Sequence, residues 1–171
     1  MIAGTITTTP QHIECEERND HQQYGVLPWR VDRQGDMRVM LITDRNQQNW
    51  GVPKGWPVEG RVPFMSAALD AFEEAGIIGD IDPQPLTDYG YASKATDGTS
   101  LARRVTLFAM RVRGTLLHWK EHGQRQRRWF SASEAADRLE NTELAGFVRQ
   151  LVTSPHPLID SAGRLSVNGG A

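Results

Sequence analysis

The stretch from Gly51 to Ile77 constrains this chain more than any other, because a Gly/Pro-rich loop leads directly into a helical segment that ends among three acids. Residues 64–75 hold no Gly or Pro, Pro63 suits the first helical turn, and Gly76 supplies the stop. Met65, Ala68, Leu69, Phe72 and Gly76 recur at helical spacing and are expected to be the buried face. On such a helix Asp70, Glu73 and Glu74 stand at i, i+3 and i+4 and share one side, as ligands for a single divalent cation would.

Acids on a helix flank are commonly only solvated, and that reading stands beside the metal one. The position of these acids argues against it. Glu73 and Glu74 fall in the last turn, where the macrodipole is negative and each carboxylate is unfavourable by roughly 0.3–1 kcal/mol. A hard cation of the Mg²⁺ type, which bridges one or two carboxylates to substrate phosphates, would offset this. The preceding loop has matching features: Gly51, Gly55 and Gly60 permit close backbone approach, Pro53, Pro57 and Pro63 stiffen it, and Lys54 and Arg61 add positive charge. It reads as a phosphate-binding loop, or as a rigid surface loop anchored by Trp50 and Trp56.

The rest of the chain supplies a scaffold. Residues 25–32 and 37–43 read as strands joined by a polar turn, with the second apolar enough to be central, and residues 50–53 as a short extended run. Residues 77–88, with two prolines, read as a connection. Residues 89–95 and 101–112 read as a strand pair across the turn 96–99. A polar loop is expected over 114–126, then a short strand over 127–130. Ser131 with Glu134 forms a capping-box signal for a helix from 132 to about 140, and a last helix is expected over 142–152. This order predicts an α/β sandwich with a mixed sheet covered by helices. The expected organisation is a flexible leader over 1–22, one domain over 23–152 and a tail over 153–171.

A formal net charge of -2 gives no global pull toward nucleic acid or membrane, so any phosphate binding must be local. Cys15 is the only cysteine, which excludes an intrachain disulfide or thiolate metal site and suits a reducing cytoplasm. His12, His21, His118, His122 and His156 show no metal-ligand spacing.

With these residues in place, Gly55 through Ile77 resembles the Nudix box, G-x5-E-x7-R-E-U-x-E-E-x-G-U with U aliphatic. Gly55 falls at the opening glycine, Ala71 and Ile77 at U positions, and Glu73 and Glu74 at the glutamate pair. The Pro53-Lys54-Gly55 lead-in, and the later Arg127-Arg-Trp-Phe followed by Ser-x-x-Glu-Ala-Ala, resemble enzymes that cleave diadenosine polyphosphates and diphosphoinositol polyphosphates. Three positions depart: Arg61 stands at the first glutamate, Leu69 at the arginine and Asp70 at the next glutamate.

The resemblance implies a metal-dependent hydrolase of a phosphoanhydride in a small-molecule polyphosphate, using Mg²⁺, with Mn²⁺ the alternative ion. Asp70, Glu73 and Glu74 are the implied metal face, and Glu74 also shares in water activation. Glu121 is the downstream candidate base. Lys54, Gly55, Arg61, Arg103 and Arg125 are the leading phosphate-binding candidates, ahead of Arg30, Lys94 and Arg104. Arg103 and Arg104 are adjacent on a strand and cannot face the same side. For Tyr24, Trp29 and Trp119, packing is preferred to base stacking. The departures also leave open a catalytically weakened Nudix-fold binding module, and nucleoside triphosphates or sugar nucleotides are the alternative substrates. A monomer or homodimer without nucleic-acid partners is expected.

Overall fold

A computed structural model describes residues 21–155 and 157–159. The elements in chain order are β1 (Gln22–Val31), β2 (Met37–Thr43), β3 (Trp50–Gly51), β4 (Lys54–Gly55), α1 (Pro63–Ala75), β5 (Ile77–Lys94), β6 (Ser100–Thr115), β7 (Arg127–Ser131), α2 (Ala132–Arg138) and α3 (Thr142–Thr153). The sheet runs β3-β2-β1-β6-β5, with β4 pairing β1 and β7 pairing β2. The β1–β6 pair is parallel and the other pairs are antiparallel, so the expected mixed sheet is present.

Alternation along the strands divides the core. Val105, Leu107 and Ala109 of β6 point to one face with Leu27, Val39 and Leu41, and α2 and α3 cover them through Ala135, Leu144 and Val148. Phe108 and Met110 point to the other face with Val26, Met40 and Ile42, under Ala67, Ala71 and Ala75 of α1. The expected tail begins at 153, yet Leu158 is fully buried in the first cluster. Most of the expected leader, 1–20, lies outside the described residues, as do 156 and 160–171, while Gln22 already pairs with Arg104 in the sheet. Among the described residues no helix is long and apolar enough to cross a membrane.

Two expectations are corrected. Residues 77–88 are not a connection but the first two thirds of β5, whose register shifts near Gly79 and Pro85. An edge strand tolerates prolines at such bulges because no further strand needs their missing N–H groups.

The second correction concerns the buried face of α1. It is Ser66, Ala67, Ala71 and Ala75, whereas Met65 and Phe72 are 42% and 44% exposed. Alanines four apart present a shallow stripe, which lets the helix lie close on the sheet. The helix is therefore turned so that Asp70 and Glu74 point toward the loop 52–55 rather than outward. Gly76 ends the helix at φ 59°, in the left-handed region that glycine tolerates.

The capping box forms as expected: Ser131 Oγ accepts from the Glu134 N–H, and the Glu134 carboxylate accepts from the Ser131 N–H. Replacing Ser131 by Ala is expected to cost about 1 kcal/mol, measurable by denaturant titration as a lower midpoint at unchanged slope.

Candidate functional site

The last turn of α1 is held by the loop that follows β6. Four successive carbonyls, which a free helix end would leave unpaired, find donors in that loop and at the start of β7. Glu73 O accepts from the Glu121 N–H at 3.1 Å, and Glu74 O from Trp119 Nε1 at 3.0 Å. Ala75 O accepts from Arg127 Nη1 at 2.6 Å, and Gly76 O from the Leu116 N–H and Arg127 Nη1. The Arg127 guanidinium also lies over the Trp119 ring at 4.0 Å. The positive charge that the acidic helix end requires thus comes in part from the protein itself.

The carboxylates are held from the same loop. Lys120 pairs with Glu73 at 3.1 Å. Arg125 reaches Glu74 at 3.3 Å, also pairs with Glu121, and donates to Thr43 O. Arg45 pairs with the other Glu121 oxygen at 2.7 Å. Arg125 and Glu121 are both nearly enclosed, so Arg125 is placed as a clamp between two acids rather than on an open phosphate surface. Burial pushes Glu121 up, but the hydrogen bonds from Arg45 and Arg125 outweigh it and hold the carboxyl below its ordinary range. Glu121 is thus a charged strut with both oxygens engaged.

Asp70 and Glu74 behave oppositely. Burial, together with Glu73 and Glu121 nearby, raises Asp70 to about 6. Burial raises Glu74 to about 7 although Arg125 and the Lys54 N–H, which donates to Glu74 Oε2 at 3.2 Å, pull the other way.

These residues suit a divalent cation on two observations. Asp70 Oδ2 is buried without a hydrogen-bond partner, the one carboxylate oxygen so placed among the described residues. Gly55 lies directly against that carboxyl, and a Cβ there would collide with it, so the glycine keeps the space open. Among the described residues no three acidic, His or Cys side chains converge into a complete cage. The donor set is therefore of the kind that one or two carboxylates and substrate phosphates complete together.

A stability prediction follows for the metal-free protein. Unfolded, Asp70 and Glu74 release protons near pH 4; folded, they hold them to about pH 6 and 7. Their contribution to folding is therefore full below about pH 4 and declines as pH rises through 6 and 7, by on the order of 3 kcal/mol for Glu74. Thermal unfolding between pH 5 and 8 is expected to show a falling midpoint, with saturating Mg²⁺ removing most of the fall. A flat metal-free profile would contradict the buried carboxyls.

Lys54 and Arg103 each lie against an aromatic ring. Lys54 Nζ is 5.3 Å from the Tyr91 ring centre, and burial pushes its pKa down. Arg103 donates to Ser93 Oγ and lies over Trp56 at 4.8 Å. Arg104 instead pairs with Asp88, so the two adjacent arginines do take opposite faces. Arg61 is exposed on the loop before α1, Lys94 is exposed at the end of β5, and Arg30 covers Trp129. Trp29 is core, Tyr24 packs on Phe108, and Trp119 buttresses α1. His118 and His122 pack with each other and His122 with Trp119, His21 meets Ala102 O, and His12 and His156 lie outside the described residues.

Sequence reasoning missed Arg45, Lys120, Arg127 and the Tyr89–Tyr91 pair. Strand alternation could have flagged the tyrosines, which share a face, but nothing local announces that Arg127 reaches a helix end more than 50 residues earlier.

No family model matches the chain. Among curated proteins it is similar to the Arabidopsis thaliana proteins Nudix hydrolase 13, mitochondrial (27% identical over 150 residues, 74% of each chain) and Nudix hydrolase 18, mitochondrial (27% over 139 residues, 77% of this chain and 76% of the relative). Among solved structures it is similar to a C. elegans Ap4A hydrolase binary complex, with TM-score 0.58, 18% identity, and coverage of 77% of this chain and 95% of that one. It is also similar to the E. coli dihydroneopterin triphosphate pyrophosphohydrolase, with TM-score 0.56, 15% identity, and coverage of 77% and 94%.

Proposed function

We infer the activity from the premise that this chain belongs to the Nudix hydrolase superfamily: it is a divalent-metal-dependent hydrolase that cleaves a phosphoanhydride bond in a diadenosine polyphosphate or a diphosphoinositol polyphosphate. The observation that carries the reading is the unpartnered Asp70 oxygen in the space kept by Gly55, on the same helix turn as Glu74. Asp70 and Glu74 would hold Mg²⁺, with Mn²⁺ able to replace it, and Glu73, which pairs with Lys120, would be the third carboxylate of the set. When bound, the ion supplies Lewis-acid polarisation of the phosphoryl oxygens and neutralises charge that builds up in the transition state.

The chain's own groups do the rest. The Lys54 N–H and Arg125 fix the two oxygens of Glu74, the carboxylate that would share in metal ligation and water activation. Arg125 and Arg45 keep Glu121 ionised, and its charge adds negative potential at Asp70. Lys54 and Arg103, held on aromatic faces, attract the phosphates that are not cleaved. The lone Cys15 supports a cytoplasmic location.

A second reading, a Nudix-fold module with weakened catalysis, is favoured by the ion pairs that already engage Glu73 and Glu74 and by Leu69 in place of the box arginine. A panel of polyphosphates assayed with Mg²⁺ and with a chelator decides between them. Metal-dependent release of phosphate or nucleotide is expected, and binding without turnover across the panel would sink the enzyme reading.

A further inference from the structure

β1 and β6 run parallel from the pair Gln22–Arg104 onward, but β6 begins earlier, at Ser100. One side of that early stretch is taken by β5, where Tyr91 to Lys94 stand opposite Arg103 to Ser100. On the other side, among the described residues, no strand lies against Ser100 to Arg103. Such an edge offers N–H and C=O groups to any extended chain that comes alongside. The direction of the chain that enters β1 is set by His21, whose carbonyl accepts from the Arg104 N–H at 2.8 Å and whose Nδ1 donates to Ala102 O at 3.0 Å. Because Arg104 presents its N–H to β1, alternation turns the Ala102 and Ser100 N–H groups the same way. Residues 14–20 run directly into His21 and hold Glu14, Glu16, Glu17 and Asp20 against one cation, Arg18. The edge carries the opposite charge: Arg103 and Arg104 stand on its two faces, and the exposed Lys94 lies opposite Ser100.

We propose that residues 16–20 of the leader continue β1 along this open edge of β6, and that Glu17, set beside Arg103, competes there with the phosphates of a polyphosphate. Alternation assigns the faces. Gln23 accepts from Tyr91, which stands opposite Arg103, so residues 21, 19 and 17 share the Arg103 face. Gln22 donates to Thr106 on the other face, which residues 20 and 18 share, and Asp20 falls there next to Arg104. Arg103 lies over Trp56, two residues after Lys54, so the docked leader reaches the cations that attract the uncleaved phosphates. The competition rests on the reading of Lys54 and Arg103 as phosphate-binding groups, whereas the docking does not. A single ion pair near a surface is weak, so a polyphosphate displaces Glu17 rather than being shut out.

The test is amide hydrogen exchange, followed by NMR on the full chain without metal. The Ala102 N–H is expected to exchange slowly, and Asn19→Pro, which removes an N–H aimed at β6, to speed that exchange about tenfold or more. Arg18→Pro, whose lost N–H points away from β6, is expected to leave it within about threefold of the parent. Equal exchange in all three proteins overturns the docking, as does protection of Ala102 that rises with protein concentration, the result a second copy on the edge would give. Inorganic tripolyphosphate, bound to the same metal-free protein, reads the competition. Glu17→Gln is expected to tighten its binding about two- to fivefold at low salt and less at high salt, while Glu16→Gln, on the opposite face, changes it little. Equal effects of the two variants would show only the loss of one general charge and overturn the role of Glu17. Turnover of polyphosphates with fast exchange at Ala102 overturns the docked leader and leaves the hydrolase reading. Slow exchange that depends on Asn19, in a protein that hydrolyses nothing, supports the docked leader and overturns the hydrolase reading.

Discussion

Glu74→Gln is expected to lower kcat for phosphoanhydride hydrolysis by on the order of 10³-fold while leaving the protein folded. The substitution keeps the shape of the side chain and one acceptor oxygen but removes the negative charge and the site that takes a proton. It also breaks one of two hydrogen bonds, since a carboxamide cannot accept from both the Lys54 N–H and Arg125. Stability moves the other way at alkaline pH. Burial is the largest cause of the raised Glu74 pKa, so at pH 8 the metal-free native state carries a poorly solvated charge that glutamine removes. The thermal midpoint of the metal-free variant at pH 8 is therefore expected to equal or exceed that of the parent, and the Mg²⁺-induced rise to shrink. Activity within tenfold of the parent would exclude Glu74 from the chemistry. Lost activity with an intact Mg²⁺-induced stabilisation would move metal binding to Asp70 and Glu73.

Arg127→Ala is expected to cost about 3 kcal/mol, which for a chain of this size lowers the thermal midpoint by roughly 6–12 °C. One guanidinium donates to Ala75 O, Gly76 O and Leu116 O and covers Trp119. Without it Ala75 O loses its Arg127 donor and the helix end loses a cation that opposes the macrodipole. Arg127→Lys is expected to recover only part, since an ammonium cannot span three carbonyls in a fork. The neighbouring Arg128 is exposed, and Arg128→Ala is expected to stay within about 0.5 kcal/mol of the parent. Equal midpoints for the Arg127 and Arg128 variants would show that the loop, not the guanidinium, holds the helix end. Because Glu73 and Glu74 occupy that end, Arg127→Ala is also expected to weaken Mg²⁺ binding, read from the metal-induced shift in unfolding temperature.

Several parts of the protein were legible in local chemistry. Pro63 and Gly76 bound α1 because a missing N–H is harmless at a helix start and a left-handed turn suits glycine at its end. The Ser131–Glu134 box and the turn at 96–99 formed for equally local reasons. The register that places Asp70, Glu73 and Glu74 on one helix was likewise available from spacing alone.

What the sequence by itself determined, then, was which residues form each element and that three acids share one helix turn near a Gly/Pro loop. Only the tertiary structure decided which way that helix faces. Apolar periodicity pointed to Met65, Leu69 and Phe72, but close packing on the sheet selected the alanines, because a small side chain lets the backbones approach and a large one does not. That rotation brings Asp70 against Gly55 and Glu74 against Lys54. The long-range partners Arg45, Arg125 and Arg127 then set the charge state of the acids, and no spacing rule encodes them, since their contacts to the acids and to the helix end join segments some 50 to 76 residues apart.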